Sequence, residues 1–65
     1  MNTGGKTMNN GIFWVFVTYG HTKETAGNGI LKAVADNEQM ARDTVEKFLK
    51  SQGYEFILVT EVIEG

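Results

Sequence analysis

The sequence predicts an α+β fold: a β-β-α-β chain whose strands form one antiparallel three-stranded sheet in the order 2-1-3. A single helix packs on one face, and the second face is left apolar. Three observations carry this. Ile12-Phe13-Trp14-Val15-Phe16-Val17-Thr18-Tyr19 is a run of eight strand-forming residues with almost nothing polar in it. Apolar residues from Ala41 to Leu49 recur at helical spacing, and Tyr54 to Ile63 returns to β-branched and aromatic residues. A strand that is apolar on both faces has to bury both, and one helix covers only one of them.

Residues 1–10 read as a disordered leader and residues 11–65 as a single small domain. Met1 to Gly11 holds three glycines and three asparagines without an apolar period, a composition that leaves little to pack. Met8 is a second candidate start. Gly4-Gly5-Lys6-Thr7 resembles the end of a phosphate-binding loop, but the full motif needs an earlier glycine and a preceding strand, and the chain has neither.

Ile12 to Tyr19 is the first strand, on length and on its Val, Ile and aromatic content. Gly20 to Gly27 is polar and reads as a loop, with Asn28-Gly29 as a further turn signal. Ile30 to Ala35 is a second strand, broken by Lys32. The two are expected to pair as an antiparallel hairpin with a long, mobile tip.

The helix follows. Asp36 or Asn37 supplies the N-cap, and Asp36 with Gln39 has capping-box spacing. Ala41, Thr44, Val45, Phe48, Leu49 and Gln52 fall on one side of a helical wheel, with Arg42, Asp43, Glu46, Lys47 and Lys50 on the other. Asp43–Lys47 and Glu46–Lys50 are acid-first pairs four residues apart, worth about 0.2–0.5 kcal/mol each when formed. Glu38 and Lys50 suit the helix dipole, and Gly53 ends the helix as the first residue beyond its cap.

Tyr54 to Ile63 is the third strand. Strict alternation puts Phe56, Leu58, Thr60 and Val62 on one face and Ile57, Val59, Glu61 and Ile63 on the other. The most apolar strand belongs in the middle, which gives the order 2-1-3. Leu31, Ala33 and Ala35 are expected to face the helix, because small residues let it approach closely, and Lys32 then points to the open face. The two side-chain sets of the first strand are equally apolar, so periodicity does not say which one meets the helix.

Composition narrows function mainly by exclusion. Sixty-five residues make one small domain, and a chain this short buries only about 60% of the surface it exposes when unfolded. Small domains make up the difference with disulfides, a metal or oligomerisation. There is no cysteine and one histidine, His21, so disulfides, thiolate sites and histidine-rich metal sites are out. Six Lys plus Arg stand interspersed with eight Asp plus Glu, for a net charge of −2, which argues against a phosphate-tracking nucleic-acid binder. No segment reaches the ~20 apolar residues of a membrane span, and the expected location is cytoplasmic.

No constellation of catalytic groups stands out, and no cofactor or metal is implied. Gly27-Asn28-Gly29 is explained by turn chemistry. His21 lies among Thr22, Lys23, Glu24 and Thr25 in the hairpin loop; such a loop suits partner contact better than catalysis, which needs a positioned pair in a water-poor pocket. Glu61 and Glu64 offer two carboxylates with no third group converging on them. The sequence therefore points to a small non-enzymatic interaction module, a homodimer formed through the helix-free sheet face or the sheet edges, that binds or regulates a protein partner. The interaction candidates are Trp14, Phe16, Lys32 and Phe56 on the sheet and His21 and Lys23 in the loop. The alternatives are a single-strand nucleic-acid binder that stacks bases on the exposed aromatics, and a small enzyme whose site, with His21 or Glu61, is completed across a subunit interface.

Overall fold

The computed structural model describes residues 11–65; the leader expected over residues 1–10 and its Gly-Gly-Lys-Thr segment lie outside them. Strand β1 spans Gly11–Gly20, β2 Gly27–Ala35 and β3 Phe56–Glu64, and helix α1 spans Glu38–Ser51 between the second and third strands. The sheet order is β2-β1-β3, antiparallel on both sides of the central strand. Helix α1 packs on one face, so the β-β-α-β topology and the 2-1-3 order are as the sequence predicts.

Elements differ from expectation at their ends. β2 begins at Gly27, three residues early, with Asn28 opposite Thr18 and Gly29 opposite Val17. Asn28-Gly29 is thus part of the ladder and not a turn. Pairing with the long β1 outweighs the local turn preference, and Thr18 Oγ1 donates to Asn28 Oδ1 at 2.8 Å across the two strands. The connecting loop shrinks to residues 21–26, pinned by reciprocal hydrogen bonds between Thr22 and Thr25.

Asn37 caps the helix. Its extended backbone ends the strand connection, and its side-chain oxygen accepts from the Met40 N–H at 2.9 Å. That cap moves the frame by one residue, so the Asp36–Gln39 capping box does not form. Gln39 Nε2 donates instead to Asp43 Oδ1 at 3.1 Å. The expected Asp43–Lys47 and Glu46–Lys50 pairs are absent among the described residues, and the ion pair present is Glu38–Arg42 at 3.9 Å. It is exposed and worth little. At the other end Gly53 has φ 96, a left-handed conformation that suits glycine. The Tyr54 N–H reaches the Leu49 carbonyl and the Gly53 N–H the Lys50 carbonyl, the paired bonds of a Schellman ending.

The core settles which side of β1 meets the helix. Phe13, Val15 and Val17 are buried there, with Ala33 and Ala35 from β2 and Ala41, Val45 and Leu49 from α1. Tyr19, Leu31, Ile57, Val59 and Val62 pack around them. Small β-branched valines under the helix permit close approach, whereas Trp14 and Phe16 would hold it away. Leu31, Ala33 and Ala35 face the helix and Lys32 the open side, as expected.

Two expectations about faces are corrected. The helix buries only the ridge Ala41, Val45, Leu49; Thr44, Phe48 and Gln52 are exposed. The ridge already spans three strands, and Phe48 lines a groove beside β2 with no further strand to cover it among the described residues. In β3, alternation breaks. Phe16 pairs with Glu61 but Val17 with Val59, leaving Thr60 as an extra residue in a bulge. Ile57, Val59 and Val62 consequently share the helix face, while Leu58, Glu61 and Ile63 share the other. Thr60 Oγ1 donates to the Phe16 carbonyl at 3.2 Å and holds the bulge against β1.

Adjacent helix residues therefore report the packing directly. Leu49→Ala removes a side chain that is 2% exposed and is expected to lower stability by about 3 kcal/mol. Phe48→Ala, next to it but 49% exposed, is expected to change stability by less than about 0.5 kcal/mol. Urea denaturation of the two variants checks both figures.

Candidate functional site

The face of the sheet opposite α1 is an exposed apolar surface. The even-numbered residues of β1, Ile12, Trp14, Phe16 and Thr18, run along its middle. The ladder places Val34 beside Ile12, Lys32 and Ile63 on either side of Trp14, Ile30 and Glu61 on either side of Phe16, and Asn28 and Leu58 on either side of Thr18. Ile30 and Val34 are each 59% exposed, Leu58 52% and Trp14 42%. Large apolar side chains thus lie in adjacent rows on all three strands, and among the described residues no element covers them.

Charge on this face is confined to its margins. Lys32 sits on one edge strand and Glu61 on the other, and the central strand contributes no ionisable group. The layout is an apolar centre with a polar rim, the usual anatomy of a protein interface. A concavity of about 470 Å³ opens over it, lined by Phe16, Val17, Thr18, Asn28, Gly29, Ile30 and Thr60. Its lining offers apolar surface, an amide and two hydroxyls but no acid or base, so it can bury a side chain and does not assemble proton-transfer chemistry.

Four of the candidates from the sequence, Trp14, Phe16, Lys32 and Phe56, come together on this face. Phe56 lies at its end, opposite Gly20. His21 and Lys23 do not join them. They occupy the loop beyond the β1–β2 end, where the His21 ring lies 5.2 Å from that of Tyr54. Tyr54 in turn meets Tyr19 edge to face with centroids 4.9 Å apart. Glu61 and Glu64 do not form a pair: Glu61 is beside the open-face Phe16 and Glu64 beside the buried Phe13, so the sheet separates them. Among the described residues no three His, Cys, Asp or Glu side chains are grouped to hold a metal.

Ile12, Ile30, Val34, Leu58 and Ile63 were not singled out from the sequence. Ile12 and Val34 follow once the helix-facing set of β1 is known. Leu58 and Ile63 share a face only because of the bulge at Thr60. One signal for it was legible: strict alternation from Ile57 and Val59 would carry the Glu61 carboxylate into the core, which is costly without a partner, and one extra residue turns it outward. No protein-family model matches this chain, and no curated protein or solved structure matches it at a significant level.

On the helix side of the sheet, at its loop end, Tyr19 and Gly29 lie in close contact. A Cβ placed on Gly29 would lie 2.9 Å from Tyr19 Cε1, too near for the ring to keep its place against Tyr54. Gly29→Ala is expected to cost about 1–2 kcal/mol through overpacking and to shift the ring-proton resonances of Tyr19 and Tyr54, whereas Gly27→Ala, with open space at its Cβ, should leave them in place.

Proposed function

We propose that this chain is a small non-enzymatic interaction module that works as a homodimer, two copies packing open sheet face against open sheet face, and that it binds or regulates another protein through the surfaces this leaves free. The observation that carries the reading is the uncovered apolar face of β1, flanked on both neighbouring strands by exposed Ile30, Val34, Leu58 and Ile63. Contiguous apolar patches of this kind mark interaction sites. Sheets stack face to face about 10 Å apart with side chains interdigitated, and a second copy brings a surface of the same shape and chemistry.

Magnitudes favour association. Covering about 600 Å² of this face on each copy would contribute roughly 15 kcal/mol gross per copy at 25 cal/mol per Å². Association costs remove a large part of that, yet the remainder is considerable beside the few kcal/mol of net stability that a domain this small carries. Base stacking on Trp14 and Phe16 is supported less well, since among the described residues the face presents one cation, Lys32, and one anion, Glu61.

The test is the mass in solution. At tens of micromolar, light scattering on a sizing column should return twice the 7.2 kDa of the chain. Trp14→Glu should return a single chain with an unchanged far-ultraviolet spectrum, since Trp14 contributes little to the core. A folded wild-type monomer at that concentration overturns the dimer. Strong quenching of Trp14 fluorescence by an oligonucleotide mixture at low salt would favour the stacking alternative.

A further inference from the structure

The two edges of the sheet are built differently. β3 carries the bulge at Thr60, and its outer half holds Glu61 and Glu64; bulges and charges are devices that keep an edge from pairing. β2 has none of the first and one of the second. Its nine residues pair with β1 in unbroken register from Gly27 to Ala35, and Lys32 is its single charge. Among the described residues its outer side leaves backbone N–H and C=O groups without a strand partner. Beside it, between β2 and α1, runs an apolar groove of about 250 Å³ lined by Leu31, Lys32, Thr44, Val45 and Phe48. Phe48 stands half-exposed along its outer wall.

We propose that the β2 edge and this groove take up an extended segment of a partner protein, which adds to the sheet as a fourth strand, sets alternate apolar side chains between Leu31 and Phe48, and places a carboxylate opposite Lys32. The proposal rests on the interaction-module reading but not on the face-to-face dimer, which leaves the β2 edge free. Strand addition satisfies the unpaired backbone groups, and pockets for alternate side chains set the choice of partner. The charge selects the occupant. Lys32 has no ion-pair partner among the described residues, so an acidic residue on the incoming strand gains an opposite-charge cross-strand pair. A second copy of β2 does not. Full antiparallel overlap of two such strands centres on Leu31 and puts both Lys32 side chains on one face as diagonal neighbours, which repel.

The probes are two acetylated, amidated heptapeptides, Val-Thr-Leu-Glu-Leu-Thr-Val and its counterpart with a central Lys, titrated into ¹⁵N-labelled protein. The acidic peptide is expected to shift the β2 amides and the Phe48 ring and to slow exchange of the outward β2 amides. It should bind about threefold more tightly than the basic one, from the size of a cross-strand charge pair, with the preference reversed in Lys32→Glu and both weakened in Phe48→Ala. Trp14→Glu should bind the acidic peptide as wild type does, so loss of the dimer and loss of strand addition are read separately. Unmoved β2 amides at millimolar peptide overturn the proposal. So do shifts confined to the Trp14 face, or outward β2 amides already protected in the peptide-free protein, which would assign the edge to a second copy.

Discussion

The structure depends on a central strand with water-avoiding side chains on both sides and one helix to shelter them. β1 has to lie in the middle, because only there are both of its edges hydrogen-bonded and both of its faces flanked by neighbours. That places β2 and β3 on either side of it and obliges the chain between them to cross over the sheet, which α1 does. Once the helix has covered Phe13, Val15 and Val17, the opposite set has no shelter left among the described residues. The excess is therefore a consequence of the topology.

How the helix is seated determines the remaining surfaces. Ala33, Ala35 and Ala41 are nearly inaccessible despite their small size, which means that backbone approaches backbone at that end of the layer. The close seat lets the short ridge of Ala41, Val45 and Leu49 seal the core alone. Met40 and Phe48, off the ridge, stay at the surface, and Phe48 forms the outer wall of a groove along β2. On the opposite edge, the extra residue in β3 keeps Val59 and Val62 on the core side while turning Glu61 outward. One bulge both completes the core and sets a carboxylate at the rim of the open face.

Two differently furnished edges flank that face. The β3 side is irregular and acidic, and the β2 side is regular and nearly uncharged. The aromatic contacts of Tyr19, Tyr54 and His21 gather instead at the loop end, where they brace the hairpin against the helix terminus and leave the open sheet face to aliphatic side chains, Trp14, Phe16 and Phe56.

Much of this was legible in the residues. The apolar run Ile12 to Tyr19 determined that a strand lies at the centre and that one of its faces is in excess. The helical period from Ala41 to Leu49 and the glycine at position 53 determined the helix and its end, and the alternation of Leu31, Ala33 and Ala35 with Lys32 determined which way β2 faces. These are local properties, carried by residues close in sequence. Tertiary structure alone decided that Phe13, Val15 and Val17 rather than Trp14 and Phe16 lie beneath the helix, because both sets are equally apolar and only the fit between valine and helix separates them. It also decided that Asn28-Gly29 pairs instead of turning, that Asn37 takes the cap from Asp36, and that Thr60 is extruded. In each case a distant partner outweighs a local preference: the full length of β1 beside β2, the seat of the helix on the sheet, and the cost of carrying Glu61 into the core.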